Sequence, residues 1–97
     1  MFRPKATTMR TGTVSAISED GKIGNVNFDD NGCAMFFTDH GRFMKPGRRP
    51  FFDNNCKIET PIIGQRLACE WTGTAVRRWT LLENYQDCLS KKFAGRS

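Results

Sequence analysis

Residues 11–38 read TGTVSAISEDGKIGNVNFDDNGCAMFFT. Three apolar runs stand out. Val14, Ala16 and Ile17 fall in the first, and Ile23, Val26 and Phe28 punctuate the second. Cys33, Ala34, Met35, Phe36 and Phe37 make the third. The breaks are turn formers: Ser18-Glu19-Asp20-Gly21, then Asp29-Asp30-Asn31-Gly32. Gly and Asn tolerate the left-handed backbone of tight turns. Short apolar runs between such clusters predict an antiparallel meander of three strands. A curved meander cannot cover both its faces, so later strands must close on it. The acids of the two turns are expected at one end of the meander, an end that a polyanion should avoid.

Downstream, residues 62–71 read IIGQRLACEW. Leu67, Cys69 and Trp71 alternate with Arg66, Ala68 and Glu70, the pattern of a half-buried strand. Thr72-Gly73-Thr74 turns the chain. Residues 75–82 give a fifth strand, with Val76 and Arg78 on one face and Arg77 and Trp79 on the other. Trp71 and Trp79 then either pair across the hairpin and close the core, or Trp79 faces out as a stacking platform. In the tail, Leu82, Tyr85, Leu89 and Phe93 recur at helical spacing, which predicts a short C-terminal helix. Lys91 and Lys92 suit its last turn. The helix either docks over an open end of the barrel or offers its stripe to a second copy as a homodimer.

Between the meander and the last two strands, residues 39–61 hold Pro46, Pro50 and Pro61 with no sustained period. They predict a long loop. Arg42, Lys45, Arg48 and Arg49 interleave with Phe43, Phe51 and Phe52. Cations meet phosphates and rings stack on bases, so this mixture suits a nucleic-acid strand. The same rings could instead plug the barrel end while the cations are solvated.

The chain has 97 residues, room for one domain. Its hydrophobic fraction of 38% fits a modest core. The net charge of +5 favours a polyanionic partner. Of the four cysteines, Cys33, Cys56, Cys69 and Cys88, none forms a C-x-x-C pair, and His40 is the only histidine. That spacing argues against zinc. Cys33 and Cys69 sit in apolar strand patterns and read as buried free thiols. Residues 1–9 read as a flexible basic arm, residues 10–82 as the domain, and residues 83–97 as the helical tail. No leader and no membrane span are expected, so the setting is cytoplasmic and reducing. One histidine, no Gly-rich phosphate loop and no nucleophile motif argue against an enzyme, and no cofactor is expected.

Three strands, a long connection and two more strands is the layout of an all-β, five-stranded Greek-key barrel of the oligonucleotide-binding (OB) type. Thr11-Gly12-Thr13-Val14, Asp20-Gly21-Lys22-Ile23-Gly24, Asp29-Asp30, Met35-Phe36-Phe37 and Gly64-Gln65-Arg66-Leu67 together resemble the cold-shock domain family. The resemblance covers roughly residues 9–82, with the loop before Ile62 widened. It implies core positions at Val14, Gly24, Val26, Met35 and Phe37. It also implies binding of single-stranded RNA or DNA on the first three strands, in the manner of an RNA chaperone or regulator of expression.

The family's binding rings are mostly replaced. Its first-strand Lys-Trp-Phe stands here as Ser15-Ala16-Ile17, and two phenylalanines of its first ribonucleoprotein motif as Ile23 and Asn25. Phe36 keeps an aromatic, while Thr38 and Asp39 replace a histidine and a phenylalanine. Lys22 lies one place from the family's lysine. Binding is therefore either lost or moved toward the Arg42–Phe52 loop, with Arg48, Arg49 and Phe51 in it, and Arg77, Arg78 and Trp79. These, with Lys22, Phe36 and Thr38, are the candidate nucleic-acid contacts. The alternative is a protein-interaction module whose flattened sheet contacts another protein.

Overall fold

The computed structural model describes residues 7–94, with side chains to residue 90. Most of the arm, with Arg3 and Lys5, lies outside the described residues, as do the side chains of Lys91, Lys92 and Phe93. Thr8 and Met9 already belong to the first strand. The elements are β1 (Thr8–Ile17), β2 (Ile23–Phe28), β3 (Cys33–Phe37), a short 3-10 turn (Thr38–His40), β4 (Arg42–Lys45), β5 (Phe51–Lys57), β6 (Arg66–Trp71), β7 (Val76–Leu81) and α1 (Leu82–Ala94).

Five strands form one antiparallel sheet in the order β3-β2-β1-β6-β7. The predicted meander is its first half. The sheet curls into a half-barrel, so that β7 returns toward β3 and the turn after it. Two irregularities help it curl. In β1, Val14 pairs with Val26 and Ala16 with Asn25, leaving Ser15 as an extra residue. In β7, Arg78 pairs with Glu70 but Val76 with Trp71, leaving Arg77 extra. Such bulges sharpen twist and bend the strand. The second one changes the expected facing of β7: Val76 and Trp79 both enter the core.

The expected long loop is folded. β4 and β5 make a separate hairpin, with Pro46 and Pro50 in its connecting loop, where no strand partner needs the N–H that proline lacks. The hairpin packs on β7 and α1. Asn84 fastens it: its Oδ1 accepts from Met44 N at 2.8 Å and from Thr80 Oγ1 at 2.8 Å. The helix covers the outer side of β6, so Ala68 is buried along with Leu67 and Cys69. That is why β6 does not alternate as expected.

The core joins Val14, Val26, Phe28, Phe36, Leu67, Cys69, Val76 and Trp79. Trp71 and Trp79 do not pair with each other. Trp71 meets Phe28 edge-on at 5.4 Å, and Trp79 meets Phe36 edge-on at 5.6 Å. Two glycines make room for these rings. A Cβ at Gly24 would strike the Phe36 ring, and one at Gly41 would strike the Trp79 indole. Cys33 is exposed, not buried as its apolar run implied; Cys69 and Cys88 are buried.

Candidate nucleic-acid interface

β3 faces the opposite way from the expectation. Phe36 is 1% exposed, while Met35 is 65% and Phe37 52% exposed. In a strand the side-chain period is two, so one residue of offset exchanges the faces. The run Cys33-Ala34-Met35-Phe36-Phe37 is apolar throughout, so its own pattern cannot choose between the two registers. Phe36 therefore belongs to the core and cannot stack on a base. Thr38 is also withdrawn: it is buried, and its Oγ1 donates to Gly21 O at 2.6 Å. Trp79 is fully enclosed, with Nε1 donating to Phe37 O at 2.9 Å. It is a packing residue and not a platform.

Three other candidates converge. Arg49, Phe51 and Arg78 line one groove between the β4–β5 hairpin and the β6–β7 side of the sheet. Phe52, Glu70 and Tyr85 line it too, and its volume is about 410 Å³. Phe51 is 51% exposed. Arg78 is held in place: Nε and Nη2 reach the two Glu70 oxygens at 2.8 and 3.1 Å, and Nη1 donates to Asn54 Oδ1 at 3.1 Å. Its guanidinium lies 4.8 Å from the Phe52 ring centre. A fork fixed this way is pre-set in direction, though Glu70 offsets its charge. Arg49 and its neighbour Arg48 are exposed and, among the described residues, have no ion-pair partner. Lys45 pairs with Asp53 at 3.2 Å. The Asn55 N–H, the Cys56 thiol and Lys45 together hold the Asp53 carboxyl below its ordinary range.

Lys22 lies elsewhere. With Ile23, Phe37 and His40 it lines a second groove at the far ends of β2 and β3. The Phe37 and His40 rings sit 5.0 Å apart. Asp20, Asp39 and Glu59 border the same groove. Asp39 is held below its ordinary range by Lys57, its partner at 3.1 Å. The acids of the meander are not gathered at one end, because successive hairpin turns fall at opposite ends of a sheet. Asp20 is at one end. Asp29 and Asp30 are at the other, tied to Arg66 and Arg10. Arg77 stands apart from both grooves, exposed at its bulge.

The groove residues that the sequence did not single out as contacts are Phe37, His40, Glu70 and Tyr85. Tyr85 belongs to the helical stripe, but nothing local tells which stripe residue meets the hairpin. For Glu70, the signal was its place opposite Arg78 across a tight turn. Among the described residues, no cluster of His, Cys, Asp and Glu is placed to hold a metal. No helix there is long and apolar enough to cross a membrane. Compared with known protein families, curated proteins and solved structures, the chain has no match.

Proposed function

We propose that this chain binds single-stranded RNA or DNA, on a divergent cold-shock-like barrel of the OB type, in the manner of an RNA chaperone or expression regulator. The strand order supports the barrel type, because β7 comes back to the end of β3 after β6 has paired with β1. Four free cysteines suit a reducing, cytoplasmic setting. One observation carries the binding proposal: Arg49, Arg78 and the exposed Phe51 meet in a single groove. The Arg49 guanidinium, unpaired among the described residues, takes phosphate oxygens, and the Phe51 ring beside it takes a base face. Arg78, held by Glu70 and Asn54, fixes the wall of the groove. The net charge of +5 adds long-range attraction.

The helix uses its apolar side at home, with Cys88 buried and Leu82, Tyr85 and Leu89 half-buried. No observation therefore favours a homodimer through it. The test is fluorescence anisotropy of end-labelled oligo-dT and oligo-U across a salt series. Binding should weaken linearly in log salt, with a slope of about −0.7 per phosphate neutralised. Arg49→Glu should weaken both complexes by about tenfold or more. No binding of either probe at low salt would overturn the proposal.

A further inference from the structure

The half-barrel leaves a seam between β3 and the start of β7. As a strand, β3 pairs with β2 alone. The register fixes which of its backbone groups are engaged. Thr38 N donates to Lys22 O, and Phe28 N donates to Gly32 O. Residues in step with these, Ala34 and Phe36, turn their N–H and C=O to β2. Cys33, Met35 and Phe37 turn theirs to the open edge. Of those, the Phe37 carbonyl is taken by Trp79 Nε1. The groups of Cys33 and Met35 remain open to a further strand. Natural edges are usually blunted by lysine, proline or a bulge, and β3 carries none of these.

The seam itself is an apolar slot of about 400 Å³, lined by Ala34, Met35, Phe37, Thr74, Ala75 and Val76. None of its lining residues is charged. Next to Val76, the bulge leaves Arg77 exposed, and among the described residues its side chain has no hydrogen bond or ion pair. We infer that the seam accepts an extended peptide segment of another protein, added as a strand along β3, with apolar side chains in the slot and an acidic one facing Arg77. Strand addition draws affinity from main-chain bonds and specificity from alternate side chains. Arg77 supplies the charge preference. The site is separate from the hairpin groove and does not depend on nucleic-acid binding.

The probe is a capped peptide of alternating valine and threonine with a central glutamate, compared with the same peptide carrying lysine. Amide shifts and hydrogen exchange are followed on the whole chain. The glutamate peptide should slow exchange at Cys33 and Met35 at least tenfold and leave Phe36 unchanged. The lysine peptide should bind at least tenfold more weakly, and Arg77→Glu should reverse that order. Met35→Pro removes an edge-facing N–H and a side chain that lines the slot but no bond to β2, so it should abolish binding while the circular dichroism stays native. If that variant fails to fold, the Arg77→Glu reversal still decides. No protection at Cys33 and Met35 under saturating peptide overturns the inference. Equal binding of both peptides does the same. So does protection that rises with protein concentration alone, which would give the seam to a second copy, or equal protection by oligo-dT.

Discussion

The indole Nε1 of Trp79 donates a 2.9 Å hydrogen bond to the main-chain carbonyl of Phe37. Trp79 is on the last strand of the sheet order and Phe37 ends the first, so this bond ties the two margins of the half-barrel. Gly41 lies against the same indole and pairs with Trp79 as an isolated bridge. Trp79→Phe keeps a ring but leaves a cavity and removes the carbonyl's partner. It should cost about 1–3 kcal/mol for the lost bond alone. Gly41→Ala drives a methyl into the indole and should destabilise by a comparable ~1–3 kcal/mol. Urea unfolding followed by tryptophan fluorescence measures both.

Phe36 and Phe51 separate packing from binding. Phe36→Ala empties a fully buried site and should cost about 3–5 kcal/mol in stability. Phe51→Ala removes an exposed ring and should leave stability within ~0.5 kcal/mol. Oligonucleotide affinity should fall by about tenfold in the Phe51 variant, from stacking worth ~1–3 kcal/mol per base. Anisotropy and urea melts on the same two samples check this. A Phe51 variant that binds as tightly as the parent would place stacking outside the groove.

The meander, β6, β7 and the helix could be read from the chain because turn residues and periodic apolar positions marked each one. Facing was harder. Five apolar residues in a row at β3 hold no alternation, so only the packed partner Trp79 decides that Phe36 goes inward. At β7, a bulge broke the period between Val76 and Trp79. The β4–β5 hairpin was hidden because β4 has only four residues and β5 carries Asp53, Asn54 and Asn55, poor strand formers. Tertiary contact with Asn84 and β7 stabilises what local propensity does not. Of the candidate site, Arg49, Phe51 and Arg78 were visible as types, but their meeting depends on that hidden hairpin.

Asn84 is the contact that binds the hairpin to the helix. Its Oδ1 takes Met44 N and Thr80 Oγ1, and Cys88 Sγ donates to Met44 O at 3.2 Å. Asn84→Ala leaves a buried N–H and a buried hydroxyl without their acceptor. It should cost about 1–3 kcal/mol. The loss should be local: the Met44 amide should exchange faster by a larger factor than the Val26 amide. Because Arg49 and Phe51 ride on the hairpin, oligonucleotide affinity should drop in the same variant. Native-state hydrogen exchange by NMR gives the comparison. An equal acceleration at Val26 would show instead that sheet and hairpin open as one unit.

The cysteines give a prediction in which burial and titration act together. Cys33 is exposed, whereas Cys69 and Cys88 are buried. Burial pushes the Cys69 thiol up to about 12 from an ordinary 9.0. A maleimide or disulfide reagent at neutral pH should therefore modify Cys33 first, with Cys69 reacting only as the chain unfolds. Cys56 should be slow, because the Asp53 carboxylate it donates to raises its pKa. At alkaline pH the sign follows from the direction of the Cys69 shift. The folded chain holds the proton between pH 9 and about 12, while the unfolded chain releases it. Fewer protons bound in the unfolded state means that stability falls as pH rises. The contribution is intact below pH 9 and is lost progressively toward 12. Cys69→Ala should show a smaller alkaline loss than the parent in matched urea melts. An unchanged slope would mean that the Cys69 thiol ionises as freely in the folded chain as in the unfolded one.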